Sequence, residues 1–236
     1  MEPALTAKVC WVMPTYGPIF SPVYSSHLLA IAYASRTMEV GEIAGVGATD
    51  RMYTHSAENF LVRGFLSEPS WTHLFMTESD MLLPKATLPK LLALDKPIAA
   101  GLYFLRGGNG QPCLYYKTLT PADNPYPHAP VTAFPTERPF LLQPGGGGCP
   151  GLGCVLIRRE VFEAIEFPWF DLKESNYGSD MYFYTKVRQA KIEVWIDPTV
   201  RCDQIDYTIA SFADYEKRLK EQPEYPSTGV VVGGLA

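Results

Sequence analysis

Charge of one sign is scarce in this 236-residue chain: 20 Lys and Arg stand against 25 Asp and Glu, leaving a net charge of -5. Without a broad basic footprint, long-range electrostatic capture of nucleic acid is not expected, although a local basic groove stays open. No apolar run approaches the ~20 residues of a membrane span, so no integral membrane segment is expected. The opening Met1-Glu2-Pro3-Ala4 lacks the basic start and apolar core of a signal peptide, which points to a cytoplasmic protein or one at the cytosolic face of a membrane. The five cysteines (Cys10, Cys113, Cys149, Cys154, Cys202) are odd in number and contain no CxxC pair. That disfavours a disulfide framework or a zinc cluster and predicts reduced, buried thiols. His27, His55, His73 and His128 show no ligand spacing. A P-loop is missing too: Gly145 to Gly148 is followed by neither Lys-Ser/Thr nor a helix, so a hinge or a close backbone approach suits it better.

What remains is an ordinary globular balance, 47% apolar and 19% charged, at a length that a single core can serve. Short apolar runs alternate with helix-like periodicity. Strands are predicted over Lys8 to Met13, Glu42 to Val46, Thr72 to Met76 and Pro97 to Phe104. Helices are predicted over Ser25 to Met38, Ser56 to Leu66 (with Ser56 as N-cap) and Ala86 to Leu94. This alternation implies an α/β fold with a mainly parallel sheet, whose ligands sit outside the carboxyl ends of the strands. Thr15, Asp50 and the Glu78-Ser79-Asp80 group end those strands and should share one cleft.

From Gly107 to Pro150 repeated prolines argue against regular elements, the pattern of a functional loop region. Order is predicted to resume with a strand at Leu152 to Arg158, a short helix near Glu160 to Ile165 and a helix over Asp180 to Lys191. A strand at Glu193 to Ile196, a helix over Ile209 to Lys220 and a loose tail from Gln222 complete the reading.

Thr77-Glu78-Ser79-Asp80-Met81 carries the chemistry. An apolar strand delivers two carboxylates, i and i+2, to a sheet edge, and on an extended segment these face the same side. Such a pair can hold a hard cation with positions open for phosphate oxygens. A solvated acidic turn is the alternative. Asp180 opens a helix after a glycine, where a carboxylate suits the exposed N–H groups. Its plain reading is an N-cap for the helix over Asp180 to Lys191.

Several segments in succession resemble family-2-type glycosyltransferases. Trp11-Val12-Met13-Pro14-Thr15-Tyr16 looks like their opening strand, Met76 to Met81 is similar to their Asp-x-Asp segment, and Lys96 to Phe104 to the strand that follows. Gly151-Leu152-Gly153-Cys154 through Phe162, then Pro168-Trp169-Phe170, Gly178 to Phe183, Val194 to Pro198 and Val200-Arg201-Cys202, continue in that family's order over roughly residues 8 to 207.

The resemblance implies a single GT-A domain. About 1–106 would bind the nucleotide sugar, about 107–221 the acceptor, and 222–236 would be a loose tail. It implies donor contacts from Pro14, Thr15, Tyr16, Asp50, Glu78, Ser79 and Asp80. It also implies Mn2+ or Mg2+ held by Asp80 and Glu78, and Asp180 as the base in inverting members. Asn59 and Arg63 are further donor candidates. Tyr103, Arg106, Gly151 and Gly153 are acceptor-side candidates. Where the family often has a metal-binding histidine stands Gln204, with Asp203 beside it as a substitute. The expected donor is a nucleotide-diphosphate sugar, UDP-sugar favoured. The acceptor is left open among glycan, lipid, protein and modified nucleobase. Two rivals stand: a sugar-1-phosphate nucleotidyltransferase, whose basic glycine-rich signature is missing after the first strand, and a non-catalytic nucleotide-sugar or glycan-binding module.

Overall fold

The computed structural model describes residues 7–39, 41–106, 110–117, 128–143, 148–172, 178–205, 209–221 and 230–231. The first half runs β1 (Ala7–Met13), α1 (Ser21–Thr37), β2 (Gly41–Ala48), α2 (Thr54–Ser67), β3 (His73–Thr77), β4 (Met81–Leu82), α3 (Thr87–Ala93) and β5 (Ile98–Leu102). Next come β6 (Tyr115–Lys117), β7 (His128–Ala133), β8 (Phe140–Leu141), β9 (Cys154–Arg158), α4 (Arg159–Ala164) and α5 (Ser179–Gln189). The chain closes with β10 (Val194–Arg201), β11 (Asp203–Ile205), β12 (Ile209–Ala210), α6 (Phe212–Glu221) and β13 (Val230–Val231).

Seven strands form the central sheet in the order β2-β1-β3-β9-β5-β10-β8. β1 pairs parallel with β2 and β3, and β5 with β10, while β9 lies antiparallel between β3 and β5. The fold class is therefore the expected α/β one, with β1, β2, β3, β5 and β10 sharing a direction. β9 departs from the parallel expectation for a topological reason. Among the described residues no helix lies between β5 and β9 to carry the chain back across the sheet, and β9 starts at the edge where β5 ended.

Side-chain alternation divides the core. Val9, Trp11 and Phe75 pack with Ala30 and Ala34 of α1 and Leu88 and Leu91 of α3 on one face. Cys10, Val12, Leu74 and Met76 pack with Leu61, Val62 and Phe65 of α2, Phe162 of α4 and Phe183 of α5 on the other. The result is a sheet covered on both faces, which is why its strands read as unbroken apolar runs.

Several boundaries move. α1 begins at Ser21, ahead of the predicted Ser25, because Pro22 sits in its first turn where the missing N–H is not needed. α2 begins at Thr54, so Ser56 is inside the helix rather than its N-cap, and its N–H reaches Tyr53 O at 2.9 Å. Ile209–Ala210 forms a strand paired with β11 rather than the start of the last helix. β6, β7 and β8 occupy a region expected to lack elements. Pro130 sits in the central strand of a three-stranded sheet, opposite Tyr115, and the next residue, Val131, is buried in the main core. Of the predicted loose tail only 230–231 are described, and they pair with β7. Gly145 to Gly147 lie outside the described residues. Gly148 shows a close approach to protein: a Cβ there would meet Leu142 Cγ at 2.3 Å. All five cysteines are buried and free, and no described helix is long and apolar enough to cross a membrane.

Candidate functional site

Because β1, β2, β3 and β5 run the same way, the residues following them gather at one sheet edge. A cleft of ≈ 250 Å³ lies there, lined by Pro14, Thr15, Tyr16, Met52, Thr54, Ala57, Glu78, Ser79, Asp80 and Arg106. The edge is braced. Thr15 N–H donates to Thr49 Oγ1 at 3.0 Å and Thr15 Oγ1 donates to Thr49 O, tying the ends of β1 and β2.

Glu78 to Asp80 form a tight turn, not the extended segment assumed from spacing: Met81 N–H donates back to Glu78 O at 3.3 Å. The turn still brings both carboxylates to the cleft. A second small sheet holds it, since β11 pairs antiparallel with β4, placing Gln204 opposite Met81, and Ile205 N–H reaches Asp80 O at 2.7 Å. This register puts Gln204, which is 5% exposed, beside Asp80; its Nε2 donates to Asp80 Oδ2 at 3.0 Å. Asp203, the neighbouring strand residue, faces the other way. Beneath the turn, Thr77 Oγ1 accepts from Trp11 Nε1 at 3.1 Å and meets His27 Nε2 at 3.1 Å. His27 Nδ1 lies 2.9 Å from Val23 O, so this buried chain is satisfied when Nδ1 carries the proton.

Electrostatics here are unusual. Burial, then the like charges of Asp80 and Asp180, push Glu78 up to about 8, and only Arg106 opposes the shift. Arg106 Nη1 lies 3.6 Å from Asp80 Oδ2 and is half exposed. Arg106, expected on the acceptor side, thus stands in the cleft with Asp80. Asp180, in the first turn of α5, accepts the Met181 N–H on Oδ1 at 2.8 Å, and the Cys149 thiol approaches its Oδ2 at 4.0 Å. Burial raises the Asp180 pKa, and hydrogen bonds from the helix backbone counter it.

Other expected residues sit elsewhere. Asp50 is exposed and lies 3.9 Å from Arg51. Asn59 is fully engaged with the 169–170 segment and its own helix. Nδ2 donates to Phe170 O and His55 O, both at 2.7 Å, and Oδ1 accepts from Trp169 N at 3.1 Å and Phe170 N at 3.3 Å. Arg63 lies over the Phe167 ring at 4.3 Å. Neither lines the cleft. Tyr103 is 4% exposed and packs on Gly151 and Gly153, where added Cβ atoms would come within 2.0 Å of its hydroxyl and 2.9 Å of its ring. Gly151 also has φ +67, so glycine is required there for both space and backbone.

Sequence reasoning missed Met52, Thr54, Ala57, Cys149 and Glu58. Only Glu58 had a signal: it falls with Leu61, Val62 and Phe65 on one helical face, and it is 2% exposed.

No family model matches the chain, and no curated protein matches it. Solved structures similar to it include A197 from STIV, at 16% identity over 88% of this chain and 91% of that one, with a TM-score of 0.62. The catalytic domain of Drosophila beta1,4galactosyltransferase 7 aligns at 14% identity over 80% of this chain and 63% of that one, TM-score 0.43. A glycosyltransferase involved in the glycosylation of the major capsid of PBCV-1 aligns at 9% identity over 91% and 99%, TM-score 0.39. The fold is shared with A197.

Proposed function

We propose that the chain is a GT-A-type glycosyltransferase that moves a sugar from a nucleotide-diphosphate donor, UDP-sugar favoured, to an acceptor hydroxyl. The observation that carries this reading is the convergence of Thr15, Tyr16, Glu78, Ser79, Asp80 and Arg106 on one cleft at the carboxyl ends of parallel strands. That edge is where open α/β sheets bind nucleotides.

The donor set suits a divalent cation. Glu78 and Asp80 both line the cleft, and Glu78 is disfavoured as an anion by burial first and then by the charges of Asp80 and Asp180. A cation would relieve that repulsion. Among the described residues no three His, Cys, Asp or Glu side chains converge on one point. Asp80 and Glu78 would thus hold Mn2+ or Mg2+ in part only, with phosphate and water oxygens completing the shell. When bound, the metal offsets charge on the departing diphosphate.

The remaining steps belong to the protein. Tyr16, 69% exposed at the cleft, offers a ring face to the nucleoside. Arg106 exchanges Asp80 for a phosphate oxygen, a charge-assisted contact its guanidinium forms well. Gln204 keeps the Asp80 carboxylate oriented through their 3.0 Å hydrogen bond. Asp180 takes the proton of the acceptor hydroxyl as that oxygen attacks the anomeric carbon; its raised pKa brings it closer to neutrality, where a general base works best.

A test is release of nucleotide diphosphate from UDP- and GDP-sugars with manganese. Wild-type protein should release it, Asp80→Ala should not, and Asp180→Asn should bind donor without transfer. Donor binding with no release by the wild type under any acceptor would instead identify a binding module. Pyrophosphate-dependent formation of nucleoside triphosphate would identify a nucleotidyltransferase.

A further inference from the structure

His27 stands where packing calls for an apolar residue. Val23, His27, Ala30 and Ala34 form the buried face of α1 at helical spacing. His27 is 7% exposed, and a polar ring in such a stripe is costly unless its nitrogens are paired. Both are paired: Nδ1 lies 2.9 Å from Val23 O and Nε2 3.1 Å from Thr77 Oγ1. With the proton on Nδ1, Nε2 accepts from the Thr77 hydroxyl, which itself accepts from Trp11 Nε1 at 3.1 Å. Thr77 is fully buried, so water does not compete for these bonds.

The neighbouring residue, Ser26, makes a second tie. Its Oγ donates to Val23 O at 2.9 Å and accepts the Leu83 N–H at 3.3 Å. Thr77 ends β3 and Leu83 follows β4, so two adjacent residues of α1 grip both ends of the segment that carries Glu78 and Asp80. β11 and Gly153 hold that segment through the backbone. α1 adds the side-chain ties at its two ends.

We infer that Ser26 and His27 are positioning residues for cation binding: by holding Leu83 and Thr77 they fix the turn that presents Glu78 and Asp80. The inference rests on the reading of that turn as the cation site.

Manganese uptake, followed by the loss of the free Mn2+ electron paramagnetic resonance signal with and without UDP, tests it together with backbone exchange. His27→Leu suits the apolar stripe and should keep the thermal midpoint, yet weaken manganese binding about tenfold, the effect of one lost buried hydrogen bond. Thr77→Val should weaken it as much, and the double variant should bind no more weakly than either single one, because both remove the same contact. His27→Gln, whose amide oxygen can take the Thr77 hydroxyl, should restore binding. Ser26→Ala should weaken it about threefold. Amide hydrogen exchange over residues 78–82 should accelerate in His27→Leu and Ser26→Ala and not in His27→Gln. Wild-type manganese affinity in His27→Leu or Ser26→Ala, or a loss in His27→Gln equal to that in His27→Leu, would overturn the inference. If His27→Leu does not fold, Ser26→Ala, which alters a half-buried side chain, decides by the same two measurements. A wild type that takes up no manganese, with UDP or without, would sink the cation reading alone. Exchange over 78–82 then decides the ties: unchanged protection in the variants overturns them, and lost protection upholds them.

Discussion

Four carboxylates, Glu58, Glu78, Asp80 and Asp180, are held at one sheet edge, and the charge they share governs how the protein responds to pH. Burial is the main cause of the rise of Glu58 from its ordinary 4.5 to about 8, with Asp180 and Glu78 adding to it. A folded-state value above the unfolded one means that the native protein binds the proton more tightly between those two values. Glu58 therefore contributes stability fully below about 4.5 and loses it as pH rises through about 8. Glu58→Gln, which stays neutral, should flatten the fall in unfolding free energy across that window. Urea melts at several pH values check this, and an unchanged slope would show that Glu58 is ionised throughout. Glu78 titrates under the same causes, so manganese binding beside it should release protons, measurable as a buffer-dependent heat in calorimetry.

At the scale of elements, α2 is where expectation and structure part most. Asn59 and Arg63 lie one turn apart, and spacing alone allows a phosphate-facing pair. The helix is rotated so that Ala57 and Thr54 line the cleft while Asn59 and Arg63 hold the 167–170 segment. Asn59→Ala removes four hydrogen bonds and leaves buried backbone groups of Trp169 and Phe170 unpaired. It should cost about 1–3 kcal/mol of stability and leave nucleotide affinity unchanged; a denaturant melt and a UDP titration test the two halves of that statement. Gly151→Ala should be worse tolerated than a surface substitution, since the new methyl group would strike the Tyr103 hydroxyl and the backbone has φ +67. Loss of soluble yield or of thermal stability in that variant is the readout.

For the molecule as a whole, a ligand that binds only the folded state raises its stability by mass action. A nucleotide diphosphate with manganese at about 100 times its Kd should add about 2.7 kcal/mol. Asp80→Ala should erase the metal-dependent share of the accompanying rise in thermal midpoint, and Asp180→Asn should keep it. Local order was legible in the residues: apolar strands alternating with helical stripes, Pro and Gly punctuation, and an acidic group following a buried strand are short-range features of the chain. That order gave the fold class and brought Thr15 and Asp80 to one edge. The antiparallel β9, the β4–β11 ladder that sets Gln204 against Asp80 and the turn of Asn59 away from the cleft were settled by packing. They join residues far apart along the chain, or depend on how a helix rotates against its neighbours. Periodicity names the buried face of an element but not what that face will touch.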